Sequence, residues 1–181
     1  MAIRIYGNRA IQTLPGELTR PTSSKVREAL FNIWQGRVLN AKWLDLCAGS
    51  GAIGAEALCR GAAKVVGIEQ SGPACRVISQ NWQKVSKEKQ TYQVIRGNVV
   101  RQMKGLADFD LIYFDPPYKS ELYQPVLSQL STCLTLDGEA AVEYSSAHWT
   151  PEKLSNKVTQ TLELVREKRY GSTHLAFFRR C

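Results

Sequence analysis

A run of glycines between an apolar segment and a helical segment constrains this chain more than any other feature. Gly49, Gly51 and Gly54 form a G-x-G-x-x-G motif directly after the apolar residues 43–47. In that context the glycines allow a tight turn and let backbone N–H groups approach a ligand closely. The motif therefore predicts an α/β unit that binds a nucleotide-like molecule at the start of a helix.

Strand patterns and helix patterns alternate through the rest of the chain. The strand expected at residues 109–115 is almost wholly apolar, as a parallel strand buried on both faces should be. The last two strands are joined around residues 170–172, which leaves room only for an antiparallel hairpin. We therefore predict an α/β fold with a doubly wound, Rossmann-like, seven-stranded and mostly parallel sheet that ends in an antiparallel C-terminal hairpin. The strands are expected at residues 43–47, 64–69, 92–96, 109–115, 138–144, 161–169 and 173–179. Helices are expected near residues 52–60, 72–86, 99–106, 121–134 and 151–156.

The N-terminal region differs from this alternation. Residues 3–14 mix β-branched and basic side chains and end at a Pro-Gly pair, which favours a short hairpin. An apolar stripe then predicts a helix over residues 26–34. Because 181 residues suit one domain, we expect a single domain over residues 1–181. It would consist of a basic hairpin and helix extension over residues 1–42 and a catalytic α/β core over residues 43–181.

Positive charge is concentrated at the two ends of the chain. The formal net charge is +8, with +5 in residues 1–42, +4 in residues 151–181 and −1 between them. This distribution favours a polyanionic partner that is held by the ends and acted on by the centre. A protein that is basic without such a partner is the alternative interpretation.

Composition excludes or disfavours several classes of protein. No apolar run approaches the roughly 18 residues of a membrane helix, and the N-terminus lacks the apolar core of a signal peptide. The five cysteines are widely spaced without a Cys-x-x-Cys motif, and there are only two histidines. That pattern supports neither a zinc site nor a disulfide framework. We therefore expect a cytoplasmic protein with no metal site and no membrane association.

An acidic residue completes the nucleotide-binding pattern. Glu69 follows Gly49 by about 20 residues, the distance at which an acid binds ribose hydroxyls in such units. Asp45 precedes Gly49 by four residues, where its charge would oppose the pyrophosphate of a dinucleotide. S-adenosylmethionine has a ribose, no phosphate and a positive sulfonium, so it suits an acidic lining of Asp45, Glu69 and Asp115. The sequence therefore favours S-adenosylmethionine as the cofactor.

A second motif ends the fourth core strand, at the sheet edge where open α/β proteins bind ligands. It consists of Asp115, Pro116, Pro117 and Tyr118. The Asp115 carboxylate and the Pro116 carbonyl can both accept hydrogen bonds from an exocyclic amino group, and Tyr118 offers a ring on which a base can stack. Two acceptors would hold the amine closer to tetrahedral and make it more nucleophilic. The motif predicts methyl transfer to the amino nitrogen of a nucleobase.

Together the two motifs resemble those of class I S-adenosylmethionine-dependent methyltransferases that act on amino groups. The segment Arg-Pro-Thr-Ser-Ser-Lys-Val-Arg-Glu-Ala-Leu-Phe-Asn at residues 20–32 narrows the resemblance. Over nearly its whole length, the chain is similar to the RsmD-type family, which methylates guanine N2 in bacterial small-subunit ribosomal RNA. The resemblance implies the class I fold, S-adenosylmethionine as the cofactor and 16S-type rRNA as the substrate.

The resemblance also assigns roles to individual residues. The segment at residues 6–9 differs from the Gly-Gly start common in that family. The target base would be held by Asp115, Pro116, Pro117 and Tyr118. The cofactor would be contacted by Asp45, Ala48, Gly49, Gly51, Glu69, Asn98 and Thr22, and the substrate RNA by Arg4, Arg9 and Arg20.

Two other functions stay open on the sequence. A DNA adenine-N6 methyltransferase would share the Asp-Pro-Pro-Tyr motif, but such enzymes usually carry an added recognition region, and only 42 residues precede the glycine strand here. A non-catalytic RNA-binding or ribosome-assembly protein would keep the fold, but every catalytic position is intact here. We expect a monomer that acts on small-subunit rRNA within an assembled or assembling subunit.

Overall fold

The computed structural model describes residues 2–14 and 23–181. Two residues singled out by the sequence, Arg20 and Thr22, lie outside these ranges. Strands β1 (Ala2–Ile5) and β2 (Arg9–Gln12) form the predicted N-terminal hairpin, joined by a 3-10 turn. The alternating pattern of the strands buries Ile5 and Ile11 against the core and leaves the polar side chains between them outside.

Helix α1 (Ser24–Ile33) is the predicted amphipathic helix. The Ser23 side chain caps it by accepting a hydrogen bond from the backbone N–H of Val26. Leu30 and Phe31 on its apolar face are buried against the sheet. The helix therefore covers one face of the core, next to the hairpin.

The seven core strands form one sheet, as predicted. They are ordered β5-β4-β3-β6-β7-β9-β8. The five strands from β5 to β7 in this order are parallel, and β9 pairs antiparallel with both β7 and β8. Their bounds are β3 (Lys42–Leu46), β4 (Lys64–Glu69), β5 (Thr91–Arg96), β6 (Phe109–Phe114), β7 (Leu134–Tyr144), β8 (Leu162–Tyr170) and β9 (Thr173–Arg180).

Helices pack on both faces of this sheet, which confirms the doubly wound class I fold. One face buries α1 with the two helices that follow β3 and β4, and the other buries the three later helices. Each face carries its own apolar core. The helices are α2 (Ala52–Cys59), α3 (Gly72–Val85), α4 (Val99–Gln102), α5 (Tyr123–Cys133) and α6 (Asn156–Thr159).

Three predicted bounds were wrong, each for a local reason. Helix α4 ends at Gln102 rather than near residue 106, since Gly105 has a φ of 81° that a continuing helix cannot hold. Strand β7 starts at Leu134, directly after α5, and shifts register opposite Phe109. The helix predicted at residues 151–156 is a short 3-10 turn. Ser155 is then extended, and α6 begins at the next residue.

Trp82 of α3 fills a slot made by glycines. A Cβ atom added at Gly51, Gly54 or Gly67 would lie 2.8, 2.3 or 2.5 Å from the indole ring. The indole Nε1–H donates to the backbone oxygen of Gly51 over 2.8 Å. The third glycine of the motif thus allows α2 and α3 to pack closely, and Trp82 is a core residue.

Two buried glutamates each form ion pairs with two arginines. Glu56 pairs with Arg27 at 2.7 Å and with Arg60 at 2.8 Å. Arg27 also donates to the backbone oxygen of Arg4 over 2.9 Å, which ties the hairpin to α1. Glu139 in β7 likewise forms ion pairs with two further arginines. It also accepts a hydrogen bond from the Trp34 indole N–H.

In the described part of the chain, none of the helices has the length and apolar character needed to cross a membrane. Across residues 2–14 and 23–181, the structure brings together no group of three or more His, Cys, Asp or Glu side chains suited to a metal ion. The five cysteines, all of them described, are free thiols.

Candidate active site

A cavity of about 590 Å³ opens at the edge of the sheet where the parallel strands end. The carboxyl ends of β3, β4, β6 and β7 all contribute to it, as expected for an open α/β sheet. Its volume is typical of a small-molecule site. The predicted site residues that line it are Asp45, Ala48, Gly49, Glu69, Asn98, Asp115, Pro116, Pro117 and Tyr118.

Side chains of α3 hold the glycine loop in place by hydrogen bonds. Gly49 and Gly51 have φ values of 58° and 72°, a left-handed conformation that glycine adopts without steric cost. The Asn81 side chain donates to the backbone oxygen of Ser50 over 2.9 Å, and Trp82 donates to that of Gly51. Gly51 itself does not line the cavity, so its role is to form the turn and admit Trp82.

Asn81 also connects this loop to the N-terminal hairpin. Its side-chain oxygen accepts from the backbone N–H of Gln12 over 2.8 Å, and its amide nitrogen donates to the Gln12 oxygen over 2.8 Å. Leu14 and Ser23, which flank residues 15–22, both line the cavity. The end of the hairpin therefore lies beside the glycine loop.

Glu69 joins the end of β4 to the glycine loop. One carboxylate oxygen accepts from the backbone N–H of Gly49 over 2.9 Å, and the other accepts from that of Ser71 over 2.8 Å. Each oxygen has a second lone pair with which it can accept from a hydroxyl group. The carboxylate is thus held in place at the cavity wall and keeps acceptor capacity for a ligand; its role in binding a ribose stays a prediction.

Replacing Glu69 by Ala should weaken cofactor binding by roughly 1–3 kcal/mol, because the ribose hydroxyls lose a charged acceptor. Titration calorimetry with S-adenosylhomocysteine measures the change. Glu88→Ala is the control, since Glu88 is an exposed acid outside the cavity lining. Unchanged affinity in Glu69→Ala would remove this side chain from the site.

Asp45 is a buried acid under the glycine loop. Its Oδ2 accepts from the backbone N–H of Gly54 over 3.0 Å. Burial raises the pKa of Asp45 from 3.8 to about 8, against the opposing effect of the Gly54 hydrogen bond, and the charge of Glu69 raises it further. The carboxyl group is therefore largely protonated at neutral pH in the absence of a cation.

This raised pKa predicts how stability depends on pH. The unfolded chain loses the Asp45 proton near pH 4, whereas the folded chain keeps it up to about pH 8. The contribution of Asp45 to stability is therefore complete below pH 4 and is lost as pH rises towards 8. Asp45→Asn keeps an acceptor for Gly54 and should flatten this decline in thermal unfolding measured across that interval. Parallel pH profiles for the two proteins would contradict the assignment.

Tyr118 is held at the cavity wall by two neighbouring strands. Its hydroxyl donates to Glu143 over 2.9 Å and lies 3.2 Å from the Thr173 hydroxyl. The Tyr113 hydroxyl donates to the other oxygen of Glu143, which is only 4% exposed. Burial, followed by the Glu143 charge, raises the pKa of Tyr118 above its usual range, so the hydroxyl stays protonated. Its ring orientation is thereby fixed beside Asp115.

Among the cavity residues that sequence reasoning missed are three polar side chains of the hydrogen-bond network around Tyr118. Glu143 lies at the carboxyl end of β7, next to β6, so an acid directly after the apolar residues 140–142 was an available signal. Tyr113 carries a weaker signal because it lies two residues before Asp115, inside a buried strand. Thr173 carries none, since the pairing of β9 with β7 alone brings it to the cavity.

The structure does not bring Arg4 or Arg9 to the cavity. Arg9 donates to the Cys59 sulfur over 3.4 Å and to the Val85 oxygen over 3.3 Å. Those residues end α2 and α3, whereas both helices begin at the cavity edge, and the 14 residues of α3 span about 21 Å. Arg4 donates to the backbone and side-chain oxygens of Asn8 in the hairpin turn.

The charge of the cavity discriminates between cofactors. Four carboxyl groups line it, and no Lys or Arg does so among the described residues. Such a lining opposes the pyrophosphate of a dinucleotide and attracts a sulfonium cation. The residues present therefore fit S-adenosylmethionine. The four acids are Asp45, Glu69, Asp115 and Glu143.

This sequence has counterparts among known proteins. Ribosomal RNA small subunit methyltransferase D of Haemophilus influenzae is 30% identical over 129 residues, covering 70% of this chain and 67% of that protein. YlbH of Bacillus subtilis (strain 168), named provisionally as an rRNA methyltransferase, is 29% identical over 178 residues, covering 95% of this chain and 94% of YlbH.

The fold and the family agree with these relatives. The solved structure of yhhF from Escherichia coli, described provisionally as a methyltransferase, is 27% identical and has a TM-score of 0.84, covering 99% of this chain and 98% of its own. The profile of the family described as Conserved hypothetical protein 95 matches residues 3–179. Since that match includes almost all of the sequence, the chain belongs to this family, the RsmD family.

Proposed function

We propose that this protein is an S-adenosylmethionine-dependent methyltransferase that methylates the exocyclic N2 amino group of a guanine in small-subunit rRNA. The observation that carries the proposal is the meeting of two motifs in one cavity. The glycine loop with Glu69 and the Asp115–Tyr118 segment lie on neighbouring strand ends. The relatives named as rRNA methyltransferases support the substrate class.

Cofactor binding is proposed for the β3 and β4 side of the cavity. S-adenosylmethionine supplies a methyl group on a positively charged sulfur. Glu69 accepts from ribose hydroxyls, and the backbone of Ala48 and Gly49 approaches the cofactor closely because the turn lacks bulky side chains. Asn98, whose side-chain oxygen accepts from the backbone N–H of Arg101 over 3.2 Å at the start of α4, would lie beside the adenine. Thr22 stays a prediction.

The target base is proposed for the β6 and β7 side. The Asp115 carboxylate and the Pro116 carbonyl accept hydrogen bonds from the guanine N2 amine, which draws its lone pair out of ring conjugation. Pro117 stiffens the segment, and the Tyr118 ring stacks on the base. After transfer, the Asp115 carboxylate accepts the proton that the amine releases.

The form of the substrate is a finer proposal. A base must leave its stack to reach the cavity, at a cost of a few kcal/mol unless it is already unstacked. A folded RNA held by ribosomal proteins can present such a base in an exposed loop. We therefore propose that a single-domain monomer acts in the cytoplasm on an assembled or assembling small subunit.

The test is methyl transfer from labelled S-adenosylmethionine to purified small subunits, protein-free small-subunit rRNA and DNA, followed by nucleoside analysis. We expect N2-methylguanosine, with more product on small subunits than on stripped RNA. N6-methyladenine in DNA would support a DNA methyltransferase instead. Cofactor binding without transfer to any of the three substrates would support a non-catalytic RNA-binding protein.

A further inference from the structure

The cations of this protein fall into two groups. The arginines paired with Glu56 and Glu139 neutralise buried acids and so stabilise the fold. Other lysines and arginines are exposed and, within the described residues, form no ion pair. Only cations of the second group can neutralise a polyanion without leaving a buried carboxylate unpaired.

Two unpaired lysines lie next to residues of the cavity wall. Lys25 is in the first turn of α1, two residues after the cap Ser23, which lines the cavity. Lys119 directly follows Tyr118, in a turn closed by the backbone of Pro117 and Ser120. Both side chains belong to exposed residues. They therefore adjoin the cavity wall in the chain, on two different elements.

An arginine adjoins the cavity wall on a third element. Arg169 is exposed near the end of β8, and its Nε donates to the Gly171 oxygen over 3.0 Å. That turn leads into Thr173, which lines the cavity and lies beside the Tyr118 hydroxyl. We call Lys25, Lys119 and Arg169 the cavity rim. Lys119 and Arg169 adjoin residues on the base-binding side of the cavity, and Lys25 adjoins Ser23, beside the glycine loop.

The acidic lining of the cavity repels phosphates, and the cations of the cavity rim offset this repulsion. An RNA strand that delivers a base brings its phosphates towards the acidic side chains Glu69, Asp115 and Glu143, so its approach is opposed. Glu28 and Glu121 are the acids nearest the rim lysines in sequence, and the structure, in the ranges that it describes, pairs neither with them. Three cations that adjoin the cavity wall, and that form no ion pair within the described ranges, attract phosphates on either side of an extruded base.

We propose that the cavity rim binds the RNA phosphates that flank the target nucleotide; this rests on the proposed function. The phosphate contacts near the target nucleotide would then come from α1, the residue after the Asp115–Tyr118 segment and the β8–β9 turn. The hairpin arginines, whose contacts lie at the far ends of α2 and α3, would contribute only to more distant contacts.

A matched pair of triple variants tests the proposal. Lys25→Ala, Lys119→Ala and Arg169→Ala together remove the rim. Lys42→Ala, Lys64→Ala and Lys89→Ala together remove three exposed, unpaired lysines at the amino ends of β3, β4 and β5, on the opposite edge of the sheet. Each triple lowers the formal charge of +8 by three, so only the place of the lost charge differs.

The measurement is binding to protein-free small-subunit rRNA over a series of salt concentrations. The rim triple should bind at least about tenfold more weakly at physiological salt and should reduce the slope of log affinity against log salt by about 2, since each single-strand phosphate contact contributes about 0.7. The control triple should keep the wild-type slope. Both should keep wild-type affinity for S-adenosylhomocysteine and wild-type melting temperature. A glutamine version of the rim triple repeats the test with longer side chains.

Equal weakening by the two triples would overturn the proposal, because net charge alone would then explain binding. A rim triple that binds like wild type would also overturn it. Absence of methyl transfer by wild type to any RNA substrate would refute the proposed function, and this result is scored in a separate assay. The two failures are therefore distinguishable.

Discussion

Replacing Asp115 by Ala should lower the rate of methyl transfer by roughly a thousandfold or more while leaving cofactor affinity within a few-fold of wild type. The carboxylate is the proposed partner of the target amine rather than of the cofactor. Its loss removes both the acceptor that orients the lone pair and the group that takes the proton. Single-turnover transfer from labelled cofactor to small subunits measures the effect.

Asp115→Asn separates charge from shape. It keeps the size of the side chain and one acceptor oxygen, so base positioning should partly survive while proton acceptance is lost. Calorimetry with S-adenosylhomocysteine is the control for the cofactor half of the site. Turnover by Asp115→Ala within a few-fold of wild type would refute the base-orienting role.

Replacing Trp82 by Ala should destabilise the protein by about 3–5 kcal/mol. The indole is fully buried in the slot formed by Gly51, Gly54 and Gly67, and its removal leaves a large cavity between α2, α3 and the sheet. The Gly51 carbonyl also loses one of its two donors and keeps the backbone N–H of Ala55. Cofactor affinity should fall together with stability, because the glycine loop is no longer fixed from behind. Chemical denaturation and calorimetry measure the two effects.

Trp34→Ala is the matched control. Trp34 is equally buried, but its indole donates to Glu139 and stacks edge-on with Trp43, away from the glycine loop. It should lower stability by a similar amount and leave the cofactor affinity of the folded protein unchanged. If both tryptophan variants reduce affinity equally, the specific link between Trp82 and the loop is wrong.

Local patterns were enough to predict most of the fold. Strand β4 was predicted at its observed bounds because an apolar run is enclosed by Lys64 and Glu69. The antiparallel end of the sheet followed from the short connection around residues 170–172. Errors occurred where two elements adjoin without an intervening loop, as between α5 and β7 at Leu134.

Long-range pairings in the site were harder to predict. The glycine loop, Glu69 and the Asp115–Tyr118 segment were found because each has its own local pattern and the strand order brings them together. Glu143 and Thr173 reach Tyr118 only through pairing between distant strands. Arg9 is exposed, but its guanidinium donates to groups at the ends of two helices, which no local pattern indicated.

The bridge formed by Asn81 has a consequence for how the chain is made. The hairpin leaves the ribosome before α3, yet both hydrogen bonds between the Gln12 backbone and Asn81 need a residue synthesised 69 positions later. Until then Ile5 and Ile11 have no core to cover them. The hairpin therefore docks late in biosynthesis, after α3 has formed, and its exposed apolar side chains are a natural target for chaperones during that interval.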